Sequence, residues 1–309
     1  MTPCPRDDGL SEVVGFVLLL GVIVVALSVY QVYAVPAAGR ENEIAHMNHV
    51  KDRFVDYKIS LDSLWVNDRS GVLLSMAFDL GTGAPTTGGT ALMLPIFTPA
   101  GSGGTVSVAE GGARLNVTVW EEGEDSALIP EVLVPDLPLG SFTYESTNHY
   151  WVDQIWTYQM GAVFLIQEGE AVVRVAPSIS VYNDTNNNTH LVVAPISLAG
   201  SDMIAGSGPV RIETRMRLNL ESSLGGEYDK VSLAIEVDDG PVSVRAWKRA
   251  FDEVGPRAEG VTTLLASEYS EGGERAILTV EPGGGKKVIL AVYPANYTVT
   301  IHGAASLVE

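Results

Sequence analysis

The chain has 309 residues, and its 38 acidic and 19 basic side chains give a formal net charge of −19 at pH 7. A nucleic-acid surface needs a concentrated basic patch, so this balance argues against a nucleic-acid partner. It suits a surface in water or brine, where net charge favours solubility. The single cysteine, Cys4, excludes an intrachain disulfide and a multi-cysteine zinc site.

An apolar run from Val13 to Val35 dominates the N-terminal part, and no charged residue lies between Glu12 and Arg40. About 23 helical residues rise about 35 Å, which is enough to cross a hydrocarbon core of about 30 Å. We therefore predict a membrane-spanning helix over residues 10–35. A buried core helix of a soluble protein and a cleaved secretory signal are the two alternatives. One arginine before the run and Arg40 after it give no charge bias, so the orientation stays open.

The residues before this run form a second pattern. A short polar leader ends at Gly9, and Leu10-Ser-Glu-Val-Val-Gly15 leads into the apolar run. This arrangement resembles the N-termini of archaeal type IV pilins and archaellins. The resemblance implies that a prepilin peptidase cleaves between Gly9 and Leu10 and removes residues 1–9 as a leader. The chain departs from the family at Asp8, where a basic residue is common.

The same resemblance implies that the freed helices pack together in a filament core with other pilin-like subunits. Glu12 and Gly15 lie in the matching motif, and Gly21 is a further small residue that allows close helix approach. Glu12 has a second interpretation, because a carboxylate in the first helical turn interacts favourably with the helix dipole. We expect Glu12, Gly15 and Gly21 to be the residues that pack the helices.

A second helical pattern covers residues 41–65, after Pro36-Ala-Ala-Gly39, which we expect to interrupt or kink the helix. Apolar residues recur there at steps of three and four and form one stripe. They are Ile44, Met47, Val50, Phe54, Tyr57, Leu61 and Leu64. The stripe predicts a helix laid against its own domain, or a stalk over residues 36–65 that continues the membrane helix and docks on the head.

After Trp65 the sequence changes to short apolar runs separated by turn residues, which is typical of a sandwich-like or barrel-like sheet domain. We predict a mainly antiparallel, β-sandwich-like head over residues 66–309, and hence an α+β fold. Residues 242–253 carry the pattern of a short helix. Gly206-Ser-Gly-Pro209 is a candidate break between two β modules. We expect residues 66–309 to fold without the membrane helix, since their apolar and polar residues alternate.

Four N-x-S/T sequons begin at Asn116, Asn183, Asn187 and Asn296. All four follow the apolar run, which fits an external face for that part of the chain. We treat these four asparagines as candidate N-glycosylation sites.

A calcium-like spacing, D-x-N-x-N, begins at Asp184. Thr189 and Pro195 stand at its sixth and twelfth positions, where an EF-hand needs glycine and glutamate. An EF-hand is therefore excluded, and a looser calcium site and a polar turn are the remaining interpretations. His46 and His49 could share a metal at i, i+3, but no third ligand is evident.

Catalytic motifs are missing from the sequence. There is no G-x-S-x-G elbow and no H-E-x-x-H pair, and His149, His190 and His302 are isolated. We therefore predict no catalytic residue, no metal site, no cofactor and no enzymatic activity. Folding could still bring distant residues together, so an anchored extracellular enzyme stays a third hypothesis behind the two that follow.

The first hypothesis is a pilin-like surface protein, a structural or minor filament subunit that could also serve adhesion. It would lie in the cell membrane as a single-pass protein with an extracellular C-terminal head, or in a surface filament after leader cleavage. Its partners would be the membrane, the prepilin peptidase and other pilin-like subunits. The alternative is a single-span anchored protein whose head binds a ligand or envelope partner and which never polymerises. Processing at Gly9 separates the two.

Overall fold

One long helix and a β-rich domain make up the described part of this chain. A computed structural model describes residues 8–67, 71–83, 98–123, 127–186, 188–217, 223–238, 242–254, 263–269, 275–283 and 286–303. For residues 8–12 and 263–269 only the backbone is described. The helix is apolar at its N-terminal end and precedes a mostly β domain with antiparallel sheets. The α+β prediction is therefore confirmed.

The helix consists of α1, Asp8–Val29, a π-helical turn, Tyr30–Ala34, and α2, Val35–Val66. Of the two expectations for residues 36–39, an interruption or a kink, the interruption is wrong, because the helix continues through Pro36. The backbone N–H of Val35 donates to the carbonyl of Tyr30, five residues earlier. Pro36 has no N–H to donate, so the widened turn lies where the regular helical bonding cannot be completed.

Seventeen strands occur in the described residues. They are β1 Leu73–Asp79, β2 Gly103–Glu122, β3 Leu128–Thr147, β4 Ile155–Gln159, β5 Ala162–Gln167, β6 Glu170–Val175, β7 Ile179–Asn183, β8 Thr189–Val193, β9 Ile196–Ala199, β10 Met203–Gly206, β11 Pro209–Met216, β12 Leu224–Tyr228, β13 Lys230–Val237, β14 Thr263–Tyr269, β15 Arg275–Pro282, β16 Val288–Val292 and β17 Ala295–Gly303. A third helix, α3 Val244–Asp252, matches the short helix predicted over residues 242–253.

The strands form three sheets. Their orders are β1-β11-β17-β9, β14-β15-β13-β2-β3-β4-β5-β6 with β10 beside β2, and β12-β16-β8-β7. All pairs are antiparallel except β16 with β8 and β17 with β9. Each sheet joins strands from both sides of Gly206, since β1 pairs with β11, β2 with β13, and β8 with β16. The head therefore does not divide into two β modules at residue 206.

The β2–β3 hairpin connects two hydrophobic cores. Each strand has 20 residues, and the pairing runs from Gly103 opposite Thr147 to Glu122 opposite Leu128. The register shifts between Ala109 and Ala113, as at a β-bulge, which bends and twists a long strand pair. One end of the hairpin lies in the core around α2, which we term the α2 core, and the other in the core around α3, the α3 core.

Helix α2 supplies the centre of the α2 core. The Phe54 ring is fully buried and its centroid lies 5.2 Å from that of Phe142. The Tyr57 hydroxyl lies 3.0 Å from Thr214 Oγ1, within hydrogen-bonding distance. The predicted stripe is buried at five of its positions, namely Met47, Val50, Phe54, Tyr57 and Leu61. Residues 36–65 are therefore part of the head's core, and a fragment 66–309 would lack these five side chains.

Helix α3 supplies the centre of the α3 core, at the other end of the β2–β3 hairpin. Its N-cap Ser243 accepts the N–H of Ala246 through its side chain, which starts the helix. Trp247 is fully buried, its ring centroid lies 5.2 Å from that of Phe164, and its Nε1–H donates to Gln159 Oε1 at 3.0 Å. A satisfied indole N–H allows this large side chain to be buried without a desolvation penalty.

We predict that Phe54→Ala lowers the free energy of unfolding by about 3–5 kcal/mol, because it opens a cavity among buried aromatic rings. Ile59→Ala is the matched control on the same helix, since Ile59 is 60% exposed. It should change the free energy of unfolding by no more than about 0.5 kcal/mol. Urea unfolding of the full chain in detergent micelles, followed by near-UV circular dichroism, measures both. Equal effects of the two variants would contradict the packing of α2 in the core.

Candidate functional site

The N-terminal part of the long helix is exposed in the part of the chain that the structure describes. Every residue from 13 to 33 is exposed, including Val22 at 69% and Tyr33 at 72%. Among the described residues, Val13–Val66 is the one helix long and apolar enough to span a membrane, and none of its most apolar window is buried. The buried-core-helix interpretation does not fit this exposure. We term residues 13–33 the exposed segment.

The residues predicted to act in processing and helix packing lie in or just before the exposed segment. Gly9, Leu10 and Glu12 lie in the first turns of α1, where only the backbone is described. A Cβ built on Gly15 or Gly21 would meet nothing within 4 Å, so both glycines are open to a neighbour. They are six residues apart, which at 3.6 residues per turn places them about 120° apart around the helix axis. The two glycines therefore lie on different sides of the helix.

A compact junction holds the helix against the loop of residues 148–154, just beyond the exposed segment. Glu43 is 1% exposed, and its carboxylate accepts the backbone N–H groups of His149 at 2.7 Å and Tyr150 at 2.8 Å. Charge-assisted bonds of this kind are among the stronger hydrogen bonds in proteins. We term Gly39, Arg40 and Glu43, together with residues 148–154, the helix–loop junction.

Two further contacts close the junction. Gly39 packs against the Tyr150 ring so closely that a Cβ at this position would overlap the ring. The Arg40 guanidinium lies over the Trp151 ring, 4.4 Å from its centroid, which is a cation–π contact. Gly39 ends the segment that the sequence predicts to interrupt or kink the helix, and the structure shows that its missing side chain makes room for Tyr150.

The loop of the junction is held by its own hydrogen bonds. The Asn148 N–H donates to Asp153 Oδ1 at 2.7 Å, and the Asn148 side-chain amide donates to the Val152 carbonyl at 2.9 Å. The Gln154 N–H donates to Ser146 Oγ at 2.7 Å. These bonds set the loop conformation that presents two N–H groups to Glu43.

One helical turn beyond Glu43, His46 forms a buried polar contact. Its Nε2 lies 3.2 Å from the Tyr144 hydroxyl, and that hydroxyl donates to the Leu80 carbonyl at 2.8 Å. Because the Tyr144 hydroxyl donates its proton to Leu80, it accepts a hydrogen bond from His46. Nε2 is therefore the protonated nitrogen of the His46 ring. Burial lowers the pKa of His46 and nearby His49 lowers it further, while Asp79 and the Leu80 carbonyl oppose the shift.

Sequence reasoning missed the roles of Glu43 and His46. Both residues follow the spacing of the apolar stripe, since Glu43 lies four residues before Met47 and His46 lies four residues before Val50. That spacing could have placed them on the buried face. No group of three or more His, Cys, Asp or Glu that could hold a metal occurs in the part of the chain that the structure describes.

Three of the four sequons lie in described strands, and Asn187 lies outside the described residues. Asn116 Oδ1 accepts the Asp136 N–H at 2.8 Å, and Asn183 Oδ1 accepts the Thr189 hydroxyl at 3.1 Å. Asn296 is half-buried in β17. Glycosylation of these asparagines stays a prediction. At Asn116 the side-chain nitrogen that would carry a glycan donates to Glu236 Oε1 at 3.3 Å.

The D-x-N-x-N loop closes on itself. Asp184 Oδ1 accepts the N–H groups of Asn186 at 2.9 Å and Asn188 at 2.8 Å, and Oδ2 accepts the Asn188 side-chain amide at 3.0 Å. His190 Nε2 lies 3.4 Å from Oδ2. The backbone bond from Asn188 is the main cause of a lowered pKa of Asp184. The carboxylate is engaged within its own turn, which favours the polar-turn interpretation over a calcium site.

Comparisons of this chain with protein-family models, with curated proteins and with solved structures found no match.

We predict that acid destabilises the head through His46. A folded pKa below the ordinary 6.5 means that the unfolded chain binds the proton more readily, so stability is full above pH 6.5 and falls below it. His46→Gln keeps a donor toward Tyr144 but cannot titrate, so it should flatten the pH dependence. Urea midpoints compared at neutral and mildly acidic pH measure this. The control is His49→Gln, on the exposed face, which should retain most of the dependence; equal flattening by both variants would contradict the assignment to His46.

Proposed function

We propose that this chain is a pilin-like cell-surface protein, with a membrane-spanning helix and an external head. One observation carries the proposal. The exposed segment is apolar on all sides, and the same helix continues into the α2 core, where only one of its faces is apolar and buried. The N-terminal part of such a helix is suited to lipid or to neighbouring helices, and its C-terminal part is suited to packing against its own head.

The proposal includes processing by a prepilin peptidase between Gly9 and Leu10. The supporting pattern is the polar leader followed by Leu10-Ser-Glu-Val-Val-Gly15. After cleavage, α1 would begin at its first apolar residue, and no charged side chain other than Glu12 would precede Arg40. The helix could then leave the lipid and pack with other pilin-like subunits. In a filament, the chain would be a structural subunit or a minor subunit, and its head could serve adhesion. The asparagines of the head's sequons are the proposed glycosylation sites.

A second candidate function is a single-span anchored protein that does not polymerise. One observation fits it: Gly15 and Gly21 lie on different sides of the helix and so build no continuous small-residue face for a single paired helix. Its head would bind a ligand or an envelope partner. The two candidates share the membrane helix and differ in processing and assembly.

We predict that the native protein begins at Leu10. Intact-mass analysis of protein isolated from its own membrane measures this. Gly9→Val should block the cleavage, because a β-branched side chain at the scissile bond hinders entry into a peptidase site. Gly15→Val is the control, since it makes the same change beyond the cleaved bond and should leave the N-terminus at Leu10. Retention of residues 1–9 in the wild type would favour the anchored alternative, and a start at Pro36 or later would show conventional signal cleavage.

We predict that Gly21→Leu leaves the protein in the membrane and lowers its recovery in filaments sheared from the cell surface. The larger side chain keeps the segment apolar, so insertion survives, but it prevents close approach of a neighbouring helix. Val25→Leu is the control, because it enlarges an exposed position that already carries a side chain. If the wild-type chain never appears in the sheared fraction, even beside other pilin-like subunits, the filament proposal is wrong and the anchored alternative stands.

A further inference from the structure

Aromatic side chains gather where the exposed segment enters the head. Tyr150 and Trp151 of the helix–loop junction are half-buried against α2, and Tyr30 and Tyr33 lie on the last turns of the exposed segment. We propose that the junction docks on the headgroup layer of the membrane that the helix crosses, with Trp151 and Arg40 at the level of the lipid phosphates. This inference rests on the proposed membrane-spanning helix.

The length of the helix places the junction at that level. The apolar run ends at Val35, and Gly39, which packs against Tyr150, follows four residues later. At 1.5 Å per residue, Gly39 lies about 6 Å beyond the end of the run. The headgroup region adds about 5–7 Å on each side of the hydrocarbon core. The loop that touches Gly39 therefore lies within the headgroup layer, provided that the run fills the hydrocarbon.

The chemistry of the junction matches this layer. Tyrosine and tryptophan are enriched at membrane–water interfaces, because their rings are apolar and their O–H or N–H groups are polar. Arg40 is exposed and lies over Trp151, which leaves its remaining guanidinium N–H groups available to phosphate oxygens. The exposed carboxylates of Glu41, next to Arg40 in the sequence, and of Asp153, two residues after Trp151, lessen the attraction of this surface to anionic lipid. A zwitterionic headgroup layer is thus the partner that fits.

The junction is also preorganised for docking. The buried Glu43 carboxylate fixes the backbone at His149 and Tyr150, and the internal bonds of Asn148 and Gln154 hold the rest of the loop. A loop that is already ordered loses little conformational entropy on contact with lipid. The head would consequently keep one side toward the membrane.

Site-directed spin labels test the docking in the full-length chain. The only native cysteine is Cys4, so Cys4→Ser allows single labels at His149→Cys in the junction, Val22→Cys in the exposed segment and Leu128→Cys in β3. His149 is exposed and uses only its backbone N–H toward Glu43. Leu128 is 45% exposed and lies at the far end of β3 from Tyr144, which contacts α2. The protein is reconstituted in phosphatidylcholine vesicles at high dilution.

Collision rates with oxygen, which concentrates in lipid, and with a nickel chelate, which stays in water, give the depth of each label. We expect the label at 149 to collide with nickel several-fold less often than the label at 128, and more often than the label at 22. Trp151→Ser should raise the nickel accessibility at 149, whereas Trp120→Ser, in β2, should leave it unchanged.

The outcomes separate this inference from the proposed function. A label at 149 that is as accessible to nickel as the label at 128, while the label at 22 lies in lipid, would overturn the docking and leave the membrane helix intact. A label at 22 in water would overturn the membrane helix itself. Protection at 149 that disappears on dilution in lipid would indicate contact with a second copy of the chain, which also overturns docking on the headgroups.

Discussion

The structure depends on the insertion of α2 into the head. Phe54, Tyr57 and Leu61 are fully buried among strands of two sheets, and the Tyr297 hydroxyl donates to the Leu61 carbonyl at 2.9 Å. Because α2 is continuous with α1, the head is attached to the exposed segment by a helix and its core packing. A flexible linker would allow the head to turn freely, whereas this arrangement sets its direction relative to the helix axis. Both the proposed assembly and the proposed docking on lipid rely on that fixed direction.

Polar groups determine the register of this packing. Apolar contacts alone tolerate some sliding of a helix along a core, since they have no direction. Glu43 and His46 do not tolerate it, because a shift of one turn would leave a buried carboxylate and a buried imidazole without their partners at residues 149, 150 and 144. An unpaired buried charge costs several kcal/mol. The two side chains therefore hold α2 at one height against the loop and against β3.

The strand β3 shows where sequence patterns mislead. Pro130, Pro135 and Pro138 fall within its 20 residues, and proline normally argues against a strand interior. The structure resolves the conflict, because β4 pairs only with residues 141–145 of β3. Within the described residues, the proline-containing part thus pairs with β2 on one side and has no strand on the other. It is an edge, where a missing N–H costs no ladder bond.

The sequence alone determined the elements whose formation depends on hydrophobic periodicity and on composition. The exposed segment, the amphipathic stripe of α2, the short helix α3 and the β-rich head all follow from local patterns, and the structure contains each of them. It also located a polar loop at Asp184, although it left a polar turn and a looser calcium site open, and the hydrogen bonds within the loop favour the turn. Four candidate asparagines and the leader could be named, but their modification depends on enzymes outside the chain.

Only the tertiary structure decided which strands of the head receive α2, that strands on both sides of Gly206 share sheets, and that Glu43, His46 and residues 148–154 form a junction. These features join residues about a hundred positions apart, such as Glu43 with Tyr150 and His46 with Tyr144. A local pattern records which face of an element is apolar, but not which distant backbone N–H will satisfy a carboxylate on that face. That choice is made when the chain folds, because a buried polar group without a hydrogen-bond partner costs free energy.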